Sequence, residues 1–182
     1  MARDVLGSLI VRGGVTVRVP EVEAYRWPGD TACHGRHGRT ARNAALWGPP
    51  GTAYVYFVYG IHHMLNLVTG HDGEAQAVLI RAAEPVKGLG AIRRRRGAVE
   101  GPALLNGPAK VAQALGLDRR WNGHRLHVAG GLEVRMGFSP PGLLVGPRVG
   151  IDFADREHRL LPWRFAAANT PWVSNRKSLR PL

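Results

Sequence analysis

The sequence predicts a single α+β domain over residues 1–182, built on a curved, mostly antiparallel β-sheet that forms a partly open barrel with short helices on its flanks. Three observations support this prediction. The 182 residues correspond to one ordinary domain, and 45% of them are apolar, which is enough for a core. Short runs with the period of a β-strand dominate the first half. The 24 glycines and 13 prolines separate these runs as turns.

The first predicted element is a hairpin over residues 8–25. The apolar run 9–11 is followed by two glycines, and residues 15–19 then alternate with period two. If the second strand continues past Pro20, the alternation predicts one face that begins with three valines and ends in Glu21, Glu23 and Tyr25. An apolar strand face would then terminate in two carboxyl groups and a phenol.

The remaining elements follow in order along the chain. Residues 26–51 are rich in glycine and proline and predict a long irregular connection of the kind that often carries function. Residues 53–59 predict a strand, and 65–69 with 77–82 predict a second hairpin. Helices are predicted over 89–96 and 108–115, the second with Pro108 in its first turn and Gly116 just after its end. Further strands are predicted at 126–128, 132–134 and 149–151.

Charge is the most informative property of the composition. The chain has 25 Lys and Arg against 13 Asp and Glu, a formal charge of +12 and a pI of about 11.3. Residues 31–71 contain no carboxylate but hold five histidines and the arginines Arg36, Arg39 and Arg42. A phosphate backbone could lie along such a surface without repulsion, which predicts a polyanionic partner. The alternative is a basic protein that is merely soluble. The four arginines at 93–96 are interpreted as a solvated helix face in preference to a specific site.

Cysteine content and hydropathy exclude several classes of protein. The single cysteine, Cys33, cannot form an internal disulfide or a four-thiolate metal site. No apolar run approaches the roughly 20 residues that span a bilayer, and Asp4 lies where a secretory signal would be apolar. A soluble, intracellular protein without a bound metal is expected. A zinc site from the histidines at 34, 37, 62 and 63 is a weak alternative, because their spacing matches no ordered ligand pattern.

The tyrosines are clustered. All four lie within 35 positions in the basic region, at Tyr25, Tyr54, Tyr56 and Tyr59. Aromatic faces among positive charges suit the stacking of an unpaired base, although packing in the core is the equal alternative for any one ring. In an ideal strand Tyr54 and Tyr56 share a face, whereas Tyr59 at the strand end points elsewhere. One ring could therefore line a pocket while another protrudes.

Glu21 and Glu23 are the carboxylates closest to this region besides Asp30. A carboxylate among cations stays ionised and can activate a water by accepting its proton. An exposed glutamate paired with an arginine is the ordinary alternative, and composition alone favours it. A glycosidase reaction with paired carboxylates is conceivable, but a polysaccharide substrate would not explain the positive charge.

Ten ordered motifs resemble the alkyladenine (3-methyladenine) DNA glycosylase family, and they span nearly the whole chain. They are EVEAY at 21–25, ACH at 32–34, GRHGR at 35–39, RN at 42–43, PGTAYVYFVYG at 50–60, MLN at 64–66, LIRAAEP at 79–85, GPAK at 107–110, RVG at 148–150 and PWVS at 171–174. Together the motifs are far more specific than any single one.

The resemblance implies a role for each matched residue in the chemistry. Glu23 would be the catalytic carboxylate that deprotonates the attacking water, and Arg81 would lie near that water and the phosphate. The extruded base would be held between pocket walls formed by Tyr25, His34 and Tyr56.

The resemblance also implies how DNA is held and discriminated. Tyr59 would enter the duplex and fill the gap, Asn66 would crowd the exocyclic amino group of guanine, and Arg39 with Arg42 would touch the DNA backbone. The resulting prediction is a monofunctional DNA glycosylase of base-excision repair, intracellular, DNA-associated and monomeric, that needs no cofactor. Its partner would be double-stranded DNA containing damaged purines, alkylated or deaminated. A non-catalytic nucleic-acid-binding module with the same surface is the alternative.

Overall fold

Nine antiparallel strands form one open sheet, and two of the three helices pack on it, in the computed structural model, which describes residues 1–182. The strands are β1 Leu9–Arg12, β2 Val15–Arg26, β3 Ala53–Val58, β4 His62–Val68, β5 Gln76–Lys87, β6 Leu132–Arg135, β7 Leu143–Gly146, β8 Arg164–Ala167 and β9 Arg180–Pro181. The helices are α1 Leu89–Arg96, α2 Pro108–Leu115 and α3 Arg156–Leu160. The strand order is β3-β4-β5-β2-β8-β7-β9, and β1 pairs with both β2 and β6. The α+β class and the antiparallel sheet are confirmed.

Both predicted hairpins form. β1 and β2 pair around Gly13 and Gly14, whose positive φ angles of 54° and 78° are backbone conformations that glycine adopts without strain. β4 and β5 pair across the loop that separates them, with Asn66 opposite Leu79. The long connection between β2 and β3 contains only two short 3-10 turns, His34–His37 and Ala44–Trp47, as its glycines and prolines predict.

The predicted single face of β2 is wrong, because the strand changes register against β5 on both sides of Glu21. Such irregularities shift the alternation of side chains. Val22 consequently packs in the main core with the valines at 15, 17 and 19. Glu21 and Glu23 are fully buried as well, but outside that apolar cluster. The bulged strand therefore places two carboxylates on the opposite side of the sheet from the main core.

Other elements depart from the sequence predictions. Residues 126–128 and 149–151 are turns and loop: Leu126 makes single backbone hydrogen bonds to Gly51 and Val134 without a continuing ladder, and the Val149 N–H donates to the Glu23 side chain. β7, β8, β9 and α3 were not predicted. In β8 all four residues are buried, including Arg164. A charged residue is unusual in a buried central strand, so the sequence does not indicate this strand.

The main core lies between the sheet and helices α1 and α2, as a cluster of 25 buried apolar residues. A smaller cluster of six residues, with Cys33, Leu46 and Tyr54 among them, fills the space under the β2–β3 connection. This second cluster fixes the irregular connection to the sheet, so a loop rich in glycine and proline is held in one place.

The arginine run of α1 is largely structural. Arg95 Nη1 donates to the carbonyl of Ala114 at 2.6 Å, and Arg96 Nε donates to that of Leu104 at 2.8 Å. Arg93 pairs with Glu100, and Arg94 is exposed. The Arg95 guanidinium thus binds a carbonyl in the last turn of α2, where the helix dipole favours a cation. None of the helices has the length and apolar character needed to cross a bilayer.

Candidate active site

A cavity of about 270 Å³ opens between the β3–β4 hairpin, the β2–β3 connection and the loop after β7. Pockets for small molecules are usually about 300–1,000 Å³, so this one suits a ligand the size of a single base. Its lining is mostly apolar and aromatic, with Tyr25, His34, Tyr54, Tyr56, Asn66 and Arg81 among its members. Six side chains from five separate segments of the chain are thus brought together.

Glu23 lies directly behind the wall of this cavity. One carboxylate oxygen, Oε2, accepts the Tyr25 hydroxyl at 2.9 Å, and the other, Oε1, accepts the backbone N–H of Val149 at 2.8 Å. Arg81 Nη1 lies 3.3 Å from Oε1. Tyr25, Val149 and Arg81 all line the cavity, whereas the Glu23 side chain itself is 0% exposed. The carboxylate is therefore fixed at the cavity by two hydrogen bonds and one ion pair.

Arg81 joins Glu23 to a second buried carboxylate. Arg81 Nε lies 3.2 Å from Oε1 of Glu21 and donates to the Ser174 hydroxyl at 3.1 Å. Glu21 also accepts the backbone N–H of Ser174 and pairs with Arg164 at 3.2 Å. Burial raises the pKa of Glu21, and the charge of Arg81 opposes that rise. With its oxygens occupied, Glu21 acts as an anchor for Arg81.

Tyr25 is held from behind by a buried ion pair. The Arg148 guanidinium lies 4.7 Å from the centre of the Tyr25 ring and makes two hydrogen bonds to Asp30, at 2.6 and 2.8 Å. Both side chains of this pair are 0% exposed. Burial, followed by the charge of Glu23, raises the pKa of Tyr25 well above its usual range. The phenol therefore stays protonated and donates to Glu23.

The opposite wall consists of stacked aromatic rings. Tyr54 and Tyr56 are stacked with centres 5.3 Å apart, as expected for two residues on one strand face. His34 meets the edge of Tyr56 at 4.5 Å, and a 3.0 Å hydrogen bond joins its Nδ1 to the Tyr54 hydroxyl. Burial, helped by Arg36 and Arg42, lowers the pKa of His34 to about 4. Burial also raises the pKa of Tyr56 to about 12, so this wall is uncharged at neutral pH.

A family model described as methylpurine-DNA glycosylase matches residues 1–171 of this chain. The chain belongs to the methylpurine-DNA glycosylase family. It is therefore a hydrolase of the N-glycosylase type that acts on DNA, and the alternative of a non-catalytic binding module is excluded.

Curated relatives agree with this family. A protein of Arabidopsis thaliana named DNA-3-methyladenine glycosylase is 51% identical over 185 residues, which cover 100% of this chain and 72% of the relative. A protein of Nitrosococcus oceani, provisionally named a 3-methyladenine DNA glycosylase, is 60% identical over 181 residues, covering 100% and 90%. A third, from Methanocella arvoryzae and with the same provisional name, is 42% identical over 183 residues, covering 97% and 90%.

Asn66 lies on the cavity floor, 4% exposed. Its Nδ2 donates to the carbonyl of Tyr54, the residue opposite it on β3, at 3.1 Å. The hydrogen bond fixes the amide, so that the side chain presents a defined edge to anything inside the cavity.

Tyr59 protrudes from the tip of the β3–β4 hairpin and also lines the cavity. It is 81% exposed and has a φ of 53°, a left-handed conformation that is unusual for a bulky residue. Gly60, with a φ of 70°, completes the turn. Tyr59 lies beyond the end of β3 and is exposed, whereas Tyr54 is buried and Tyr56 is half-buried.

Arg39 and Arg42 are both exposed on the β2–β3 connection. Arg42 Nη2 donates to the Phe57 carbonyl at 3.0 Å, which holds it against β3. Asn43 fixes the same segment by donating to the carbonyls of His34 and Gly38. The histidines at 34, 37, 62 and 63 do not converge, since the one group of three or more metal-ligand side chains is at 155, 157 and 158.

Several residues of the site were missed as functional from sequence. Asn43, Arg148, Val149 and Ser174 lie in the family motifs, but only their contacts show what each does. Glu21 was considered as a second catalytic carboxylate, and the structure places it against Arg164 and Ser174, outside the cavity lining. The only signal for these residues was their presence in the ordered motifs.

Proposed function

We propose that this glycosylase receives an alkylated purine, extruded from duplex DNA, in the cavity and hydrolyses its N-glycosidic bond with a water activated by Glu23. The observation that carries the proposal is the Glu23 carboxylate, fixed behind the cavity by Tyr25, Val149 and Arg81. A carboxylate offers about four acceptor positions, and the hydrogen bonds from Tyr25 and Val149 occupy two of them, so a position remains for a water. These contacts support Glu23 as the base that activates the water.

The chemistry asks little more of the protein. A purine methylated at N3 or N7 is cationic, so its bond to the sugar is already weakened. The water oxygen bonds to the anomeric carbon, the water proton passes to Glu23, and the electrons of the broken C–N bond neutralise the departing base. Arg81 places a positive charge beside the carboxylate that accepts this proton.

The aromatic walls favour a cationic base over an ordinary one. A cation over an aromatic ring gains roughly 0.5–2 kcal/mol, which neutral bases lack. The positive charge of Arg148 behind Tyr25 would repel a cationic base. The ion pair with Asp30 neutralises that charge. Because His34 is neutral, it adds no repulsion to the opposite wall. Asn66, fixed at the floor, would crowd the exocyclic amino group of guanine.

The exposed hairpin tip supports extrusion of the nucleotide. Rotating a base out of the stack costs a few kcal/mol, and an inserted side chain offsets part of that cost. Tyr59 is an exposed ring beside the cavity mouth, and Arg39 and Arg42 lie exposed on the adjoining connection for contact with phosphates. We infer that Tyr59 fills the gap in the duplex.

Strand cleavage is not part of the proposal. A glycosylase that cuts the strand uses an amine to form a Schiff base with the sugar. No lysine lines this cavity. Base release should therefore leave an intact strand with an abasic site.

The test is a chromatographic assay of bases released from methylated duplex DNA by the purified chain. We expect free 3-methyladenine and 7-methylguanine, and no strand scission until the product is treated with alkali. Absence of any released base would refute the proposal, and scission without alkali would refute the monofunctional mechanism.

A further inference from the structure

A second exposed aromatic residue lies at the rim of the cavity. Phe153 belongs to the loop after β7, lines the cavity and is 59% exposed. Exposed rings of this size are rare here: Tyr59, Phe138 and Phe153 are the aromatic residues among the exposed large hydrophobics. Only Tyr59 and Phe153 line the cavity, so its mouth carries two protruding rings from two different loops.

A cation is stacked on Phe153. The Arg36 guanidinium lies 4.7 Å from the centre of the Phe153 ring. Arg36 makes one weak hydrogen bond, from Nη1 to the Cys33 carbonyl at 3.4 Å, and no ion pair with any carboxylate. Its remaining N–H groups are free to donate to an anion. A guanidinium that pairs with no carboxylate thus lies over the ring of Phe153, next to the residues that line the cavity.

We propose that the Phe153–Arg36 pair binds the backbone of the nucleotide next to the extruded one, with the deoxyribose against the ring and its phosphate on Arg36. A nucleotide backbone presents an apolar sugar face beside an anionic phosphate, and this pair presents the complementary groups. The proposal rests on the proposed function, because it needs the damaged nucleotide to occupy the cavity.

The position of Phe153 gives this contact a second consequence. Val149, whose N–H holds Glu23, lies four residues before Phe153 in the same loop. The loop is tied down on both sides, by Arg148 to Asp30 and by the Asp155 N–H to the Thr31 hydroxyl at 2.9 Å. A DNA strand bound to Phe153 is therefore held at a fixed position relative to the loop that holds the catalytic carboxylate.

The experiment measures affinity for a duplex with one lesion, in the Glu23→Gln background so that the lesion stays intact. We expect Phe153→Ala and Arg36→Gln each to weaken binding about tenfold, as for loss of one aromatic or charge-assisted contact. The matched controls are Phe138→Ala, a ring that is 90% exposed and outside the cavity lining, and Arg94→Gln on α1. Both should change affinity less than about twofold, as expected for surface residues away from the contact.

A scan with single methylphosphonates, which remove one phosphate charge at a time, locates the contact. In the Glu23→Gln parent, we expect a methylphosphonate at one position next to the lesion to weaken binding. At that position, the same methylphosphonate should not further weaken binding by the Arg36→Gln variant. Effects of Phe153→Ala and Arg36→Gln no larger than their controls would overturn the inference, and so would an unchanged methylphosphonate profile in Arg36→Gln. Base release by the wild-type chain, assayed in parallel, separates this failure from failure of the proposed function.

Discussion

Buried charges define the site at the level of single residues. Glu21, Glu23, Arg81 and Arg164 are all buried on adjacent strands β2, β5 and β8, where charges are tolerated only when paired. The motif around Glu23 predicted the catalytic candidate from sequence. The partners of Glu21 could not be predicted, since Arg164 and Ser174 follow it by more than 140 positions in the chain.

Asn66 tests discrimination between purines. Replacing Asn66 by Gly removes the fixed amide edge from the cavity floor and its hydrogen bond to Tyr54. We expect the release of unmodified guanine relative to 3-methyladenine to rise about tenfold or more, since steric exclusion by one group is worth roughly that factor. Chromatography of bases from methylated and unmethylated DNA gives the ratio, and an unaltered ratio would remove this role.

The variant His34→Gln tests how the free energy of unfolding depends on pH. The pKa of His34 is about 4 in the folded chain against 6.5 for the free side chain, so between these values the unfolded state binds more protons. The free energy of unfolding should therefore fall as the pH drops from about 6.5 to about 4, by on the order of 3 kcal/mol. Denaturation of His34→Gln across this range should show a shallower fall than the wild type. The same slope in both proteins would contradict this assignment, and the exposed His62→Gln serves as control.

At the scale of elements, local sequence patterns predicted the helices and hairpins that form from segments adjacent in the chain. The two hairpins and helices α1 and α2 were predicted because their signals lie within one turn or one period of the chain. β7 and β8 were missed because their pairing, with each other and with β2, is non-local. The register change at Glu21 was missed for the same reason, since a bulge exists only relative to the partner strand.

The tip of the β3–β4 hairpin should show a conflict between stability and function. Tyr59 has a φ of 53°, which costs a non-glycine residue about 1–2 kcal/mol. Tyr59→Gly should therefore raise the free energy of unfolding by about 1 kcal/mol. It should also weaken binding to lesion duplex about tenfold, because the ring that fills the gap is lost. Tyr59→Ala keeps the strain while losing the ring, so only its binding should fall. Undiminished affinity of both variants for the lesion duplex would exclude the proposal that Tyr59 fills the gap in the duplex.

The Asp30–Arg148 pair joins the β2–β3 connection to the loop after β7. Asp30→Asn would leave Arg148 as an unpaired charge in a fully buried position, at a cost of about 3–5 kcal/mol. The exposed Asp72→Asn should change the free energy of unfolding by less than about 0.5 kcal/mol. Urea denaturation of both variants measures the difference. Equal stability of the two would show that the pair does not hold these segments together.

The whole molecule is an open sheet whose one side carries an apolar core and whose other side carries a charged network and the cavity. The +12 charge and the motifs were visible in the sequence, and they predicted the partner and the family. The sequence could not show that Glu23 is fully buried behind the cavity wall, because burial depends on three segments that meet only in the fold.

The most direct measurement of the central claim compares Glu23→Gln with the control Glu100→Gln. The Glu100 side chain is 81% exposed and pairs with Arg93 of α1. Each variant is assayed for binding to a duplex with one lesion and for single-turnover release of the damaged base. Glu23→Gln should bind within a few-fold of the wild type and release base at least about a hundredfold more slowly, as expected for loss of the general base, while Glu100→Gln should match the wild type in both. Base release by Glu23→Gln at the wild-type rate would contradict the role of this carboxylate.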